Sequence, residues 1–165
     1  MKTTKEQFEE LVKEKGKQAY FRDCFDPGHF TGSCLVVSER LEFVILMHHK
    51  KQKIWTHFGG HCDGQTPYQT AVRELHEESG IRDIKVINKV FDLVIQNISP
   101  YQGEPAHKHF DTRYLAFYDI NKKLPKSPEN IEYHWFSINE ALIINKTKSM
   151  IQILTKVIKL KNESI

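Results

Sequence analysis

Three glutamates, Glu74, Glu77 and Glu78, crowd into the stretch "VRELHEESGI". Like charges one helical turn apart repel, so the grouping calls for a compensating partner. Carboxylate oxygens at this spacing can surround a hard divalent cation, Mg²⁺ or Mn²⁺, and convert repulsion into charge complementarity. The same acids could also make an ordinary solvated face, with Arg73 and nearby lysines relieving the repulsion. Upstream, Gly59 and Gly60 let the backbone approach a ligand or metal closely, and Gly64 can turn the chain toward the acids. A cation at that junction would polarise a phosphoryl group and activate water, with a carboxylate accepting the proton.

Local signals place these acids on a helix. Thr66 is a capping residue with Gln69 three positions later, Pro67 suits the first turn, and Gly80 supplies a stop. At roughly 100° per residue, Ala71, Val72 and Leu75 form an apolar arc beside the acidic one. The core can therefore fix the helix while its carboxylates share one site.

The surrounding pattern is mixed α/β. A helix is expected over residues 4–18, with a Thr3–Glu6 capping box and Phe8, Leu11 and Val12 on one side. "SCLVVS" and "LEFVILMHH" read as neighbouring strands, and "IKVINKVFDLVIQNIS", "HFDTRYLAFYDI" and "IEYHWFS" as further strands. Helices are expected from Ile138 and over about 149–161, the last covering a sheet through Ile151, Leu154, Val157 and Ile158. The chain is expected to be a single domain over 1–165 with a helical N-terminal extension at 1–20.

Composition narrows the class. The 24 Lys plus Arg against 21 Asp plus Glu leave a formal charge of +3, too small an excess for a nucleic-acid footprint. Cys24, Cys34 and Cys62 match neither a disulfide framework nor a metal knuckle. No stretch reaches the roughly 20 apolar residues of a membrane-spanning helix, so a cytoplasmic protein without a stable nucleic-acid or membrane partner is expected. Oligomeric state is left open, a homodimer included.

Other residues could contact an anionic substrate. Lys50 and Lys53 follow the second strand in a basic cluster with His48 and His49. His107, His109, Asp111 and Arg113 alternate, so a strand would put all four on one face, where they could orient phosphate or water. Each could equally make structural edge contacts. Trp55, Phe58 and Tyr101 are candidates to stack on a base, with core packing as the competing fate of the first two. Cys62 reads as a packing residue.

Residues 59–81 resemble the signature of the Nudix hydrolases. Counting from Gly59, Arg73, Glu74, Leu75, Glu77, Glu78, Gly80 and Ile81 fall at the corresponding places, while Gln65 stands where that signature has a glutamate. The resemblance implies a Nudix-like α/β/α sandwich with a mixed β-sheet. It also implies Mg²⁺- or Mn²⁺-dependent cleavage of a diphosphate linkage in a nucleotide or nucleoside-diphosphate-linked small molecule. It assigns Glu74, Glu77 and Glu78 to catalysis and metal binding, with a carbonyl of Gly59 or Gly60 as a further ligand. It also makes Glu132 a candidate for an additional carboxylate across the cleft, with Glu129, Glu140 and Glu104 as competitors. Gln65 can hydrogen-bond but cannot pair ionically with Arg73, and the change is expected to be local tuning or replacement of the partner by Asp63. The alternative is a noncatalytic nucleotide-sensing or regulatory module on the same fold.

Overall fold

The central strand is the most hydrophobically framed part of the chain, and the layers follow from it. A computed structural model describes residues 1–164. Strand β1 (Gly28–Ser38) is buried along its whole length. It pairs in parallel with β6 (His107–Tyr118), from Gly28↔Lys108 to Ser38↔Tyr118. Its other edge is shared by β2 (Phe43–His48) and β4 (Phe58–His61), both antiparallel. Short β3 (Trp55–Thr56) and β7 (Tyr133–Ser137) pair with β2, and β5 (Asp92–Ile98) with β6, giving a mixed seven-stranded sheet.

Both faces of this sheet are covered, which explains why β1 and β2 read as nearly continuous apolar runs. On one face, Cys34, Val36, Ile45, Met47 and Phe58 pack against Ala71 and Leu75 of α2 (Pro67–Ser79). On the other, Leu35, Val37, Val44 and Leu46 pack against α3 (Ile138–Ile144) and α4 (Lys148–Glu163). This is the α/β/α sandwich with a mixed sheet that the signature implies. The N-terminal helix α1 (Thr4–Lys15) carries the expected Thr3–Glu6 capping box and adds a third cluster, Phe8 and Leu11 meeting Phe30, Phe110 and Cys62.

Several apolar assignments shift. Val12 is exposed rather than packed with Phe8 and Leu11, and a 3-10 turn over Gly16–Tyr20 replaces the end of the expected helix. In α4 the buried stripe is Met150, Ile153, Leu154 and Val157, while Ile151 and Ile158 are exposed. The stripe is therefore centred about one residue earlier than expected. Only Asp92–Ile98 of "IKVINKVFDLVIQNIS" is strand, apart from an isolated Val86–Ala116 bridge. Among the described residues, no helix is long and apolar enough to cross a membrane.

Candidate active site

Helix α2 begins where the sequence places it. Thr66 and Gln69 form a reciprocal capping box, Pro67 occupies the first turn, and Gly80 ends the helix in the left-handed region at φ 80°. With Ala71 and Leu75 fully buried, the adjacent acidic flank of the helix lies along β4. Gly60 is the closest approach: a Cβ there would stand 2.5 Å from Glu74 Oε1, so only glycine lets the carboxylate lie against the strand.

Strand alternation separates the two glycines. The Gly59 N–H donates to Glu78 Oε1 at 2.9 Å, away from β1. In an antiparallel ladder the N–H and C=O of one residue point to the same side, so the Gly59 carbonyl faces this free edge as well. The His61 carbonyl does so too, accepting from Arg73 Nη2 at 2.9 Å. Gly60, opposite Gly32, turns its own carbonyl into the β1–β4 ladder. Gly60 thus supplies clearance, and of the two carbonyls that of Gly59 faces the free edge.

Arg73 organises the acids. Its Nε donates to Gln65 Oε1 at 2.7 Å and its Nη1 to Glu74 Oε1 at 3.1 Å, and Nη1 lies 3.5 Å from Glu77 Oε2. Gln65 therefore keeps the hydrogen bond to Arg73 although it lacks the charge. Asp63 does not replace that charge. It sits in a tight turn at φ 50° and accepts a two-pronged pair from Arg22, at 2.9 and 2.7 Å.

Two of the three glutamates resist ionisation. Burial pushes Glu78 up to about 8, with the charges of Glu74, Glu129 and Glu77 adding to it against the Gly59 hydrogen bond. Burial likewise pushes Glu74 up to about 7; Arg73 opposes this, while Glu77 and Glu129 reinforce it. Glu129, rather than Glu132, is thus the fourth carboxylate whose charge reaches the group. Glu132 binds His134 Nε2 at 3.0 Å, and His134 sits beside Trp55 on the opposite face of the sheet from α2. Glu132 thus points away from the acids of α2.

The acids open into a cleft of about 650 Å³ lined by Gly59, Gly60, Glu74 and Glu78, with Arg22, His49, Lys50 and Lys51 around it. Lys50 Nζ also donates to the Glu129 carbonyl at 2.9 Å. Lys53 is exposed in the turn after β2, at φ 55°, outside the cleft lining. A second chamber of about 310 Å³ shares Gly59, Gly60 and His61 with the first and is also lined by His57, His109 and Asp111. Asp111 accepts from the hydroxyls of Thr31 and Ser33, both at 2.8 Å.

Arg113 shares the face of Asp111 but does not reach a substrate. It is fully buried, pairs with Asp92 and donates to Ser149 Oγ at 2.8 Å. Lys156 and Gln152 of α4 hold the same aspartate at 2.6 and 2.8 Å, so Arg113 fastens α4 to the sheet. His107 lies outside both chambers, its Nδ1 donating to the Pro105 carbonyl at 2.8 Å and its Nε2 3.3 Å from that of His109. Trp55 packs on Phe136 and Phe58 on Tyr133, whereas Tyr101 stays exposed at the cleft.

Sequence reading missed His29, His61 and Arg22. The ligand atoms of His29, His61 and His109 lie within 4.8 Å of one another, a cluster capable of coordinating a metal ion. No short spacing marks them, since they meet only when β1, β4 and β6 pair.

A mixed sheet between helices, with clustered acids beside a glycine strand edge, makes an α/β/α sandwich. Residues 29–157 match the NUDIX domain, and the chain belongs to the Nudix family. Among solved structures, a Caenorhabditis elegans Ap4A hydrolase is 18% identical with a TM-score of 0.60, covering 79% of this chain and 96% of its own. A NUDIX-family hydrolase from Clostridium perfringens is 21% identical with a TM-score of 0.60, covering 80% and 97%. An Escherichia coli dihydroneopterin triphosphate pyrophosphohydrolase is 16% identical with a TM-score of 0.62, covering 79% and 95%. At these identities the likeness is one of fold. No curated protein matches the chain by sequence.

Proposed function

We propose that the chain is a metal-dependent hydrolase that cleaves a diphosphate linkage in a nucleotide or nucleoside-diphosphate-linked small molecule. One observation carries this reading: Glu74 and Glu78 are held together, largely out of water, beside the Gly59 edge, at a stability cost that a bound cation would reverse. The donors are hard oxygens, which suit Mg²⁺ or Mn²⁺. Glu74, Glu77, Glu78 and the Gly59 carbonyl are the residues that would hold it. Such an ion, when bound, polarises a phosphoryl oxygen and acidifies water.

The chain's own groups have distinct tasks. Glu74, whose ionisation burial disfavours in the metal-free chain, is the carboxylate assigned to accept the proton. Arg73 orients Glu74 and Glu77 and is itself braced by Gln65. Gly59 fixes one oxygen of Glu78. Lys50, Lys51 and Arg22 place positive charge around the cleft for a polyphosphate, and His109 and Asp111 line the adjoining chamber.

The test is product-resolved mass spectrometry in labelled water, with Mg²⁺ or Mn²⁺ and a panel of nucleoside triphosphates, nucleotide sugars, dinucleoside polyphosphates and dinucleotide cofactors. At least one compound should be cleaved at a diphosphate bond, with Glu74→Gln slower by about 10²- to 10⁴-fold. Metal-loaded, folded protein that binds nucleotides across the panel and forms no product would instead be a sensing module.

A further inference from the structure

The histidines that meet behind β4 are separate from the carboxylates. His29 of β1 is opposite His109 of β6, and His61 of β4 is opposite Thr31, so all three rings project from one face of three adjoining strands. Their ring centroids are 4.8–5.2 Å apart. His29 is 1% exposed, and its Nδ1 lies 3.0 Å from the Cys24 carbonyl, which can only accept. Nδ1 therefore carries the proton, and Nε2 is left as a buried lone pair with no hydrogen-bond partner. An unmet buried acceptor is costly, and this one belongs to the group whose ligand atoms gather within 4.8 Å.

We propose that His29, His61 and His109 form a second metal site that takes a borderline transition ion of the Zn²⁺ class, distinct from the hard-cation site of the glutamates. Imidazole nitrogens suit Zn²⁺ and its neighbours, whereas Mg²⁺ demands oxygen. Zn–N bonds of 2.0–2.1 Å put ligand atoms roughly 3.4 Å apart, so side-chain movements of about 1 Å close the site. The Cys24 carbonyl on His29 and the His107 ring on His109 are the kind of outer partners that fix metal-bound imidazoles. Three protein ligands leave a fourth position, and His61 lines both chambers of the cleft. The inference stands whether or not the protein is a hydrolase.

The experiment uses the full chain, stripped with a chelator and kept in excess Mg²⁺ to occupy the glutamates, then titrated with Co²⁺ and Zn²⁺. One Co²⁺ per chain should bind with the visible absorption of low-coordinate nitrogen ligation, and Zn²⁺ should displace it. Losing an outer partner alone costs 10–100-fold in affinity, so His61→Gln and His109→Gln should weaken Zn²⁺ binding by more than about 100-fold. Glu78→Gln should leave it unchanged. Should the histidine variants misfold by circular dichroism, X-ray absorption on the Zn²⁺-loaded wild type decides: three imidazoles support the site, and an oxygen shell overturns it. No stoichiometric uptake, or uptake lost in Glu78→Gln and kept in folded His61→Gln and His109→Gln, also overturns it and leaves a neutral histidine stack.

Discussion

Glu78→Gln should make the metal-free protein more stable while abolishing its use of metal. Glu78 is 7% exposed, and its folded pKa is about 8 against an ordinary 4.5. A carboxyl raised on folding binds more protons folded than unfolded, so the stability it contributes at low pH is lost as pH rises from about 4.5 through 8. At about 1.4 kcal/mol per pKa unit the full loss is roughly 5 kcal/mol. Relaxation and water entry reduce such penalties, and about 2–4 kcal/mol between pH 5 and 9 is the expected size. Glutamine keeps an oxygen to accept from the Gly59 N–H and carries no charge. In chelator, the melting temperature of Glu78→Gln should therefore exceed that of wild type at pH 9, and the advantage should shrink toward pH 5. For a chain of this length the gain corresponds to roughly 5–15 °C. Mg²⁺ at about 1,000 times Kd should reverse the order, because mass action then adds about 4.1 kcal/mol to wild type. Melting curves by intrinsic fluorescence, from pH 5 to 9 with and without Mg²⁺, read both effects. A variant whose curve parallels wild type across that range would refute the placement of a strained, buried carboxylate at position 78.

Removing the brace on Arg73 in Gln65→Ala should lower turnover several-fold while leaving the melting temperature nearly constant, as steady-state kinetics and calorimetry on the same sample would show. Arg113→Met leaves Asp92 with Lys156 and Gln152 as its remaining partners and should cost about 1.5–3 kcal/mol in urea denaturation; an unaffected midpoint would contradict the buried pair. Leu75→Ala, at a fully buried position on α2, should cost about 2–5 kcal/mol by the same measurement. Lys50→Ala should raise KM for a polyphosphate substrate more than it changes kcat, and an unchanged KM would remove Lys50 from the cleft.

What the sequence made legible was local. Helix α2 could be read because its cap, first-turn proline, apolar arc and stop all lie within residues 66–80, and each acts on its near neighbours. Arg113 could not, since alternation along β6 shows which face it takes but not that Asp92 and Ser149 wait there. Asp63 misled for a related reason: adjacency to Gln65 suggested substitution, whereas the left-handed turn sends its side chain to Arg22. Glu132 and Glu129 differ by three residues yet have opposite fates, decided by the face from which the chain enters β7. The histidine cluster needs the pairing of three strands before any of its members looks unusual.

The contact between Gly60 and Glu74 bears on how this scaffold can be diversified. Any larger residue at 60 would push the Glu74 carboxylate from its place beside the strand, so changes in β4 would disturb the acids themselves. The loop from His49 to Gln52 and the exposed Tyr101 border the same cleft without belonging to any of the three apolar cores. Selection for a new substrate should therefore draw its accepted changes from those rims and leave the glycine edge untouched.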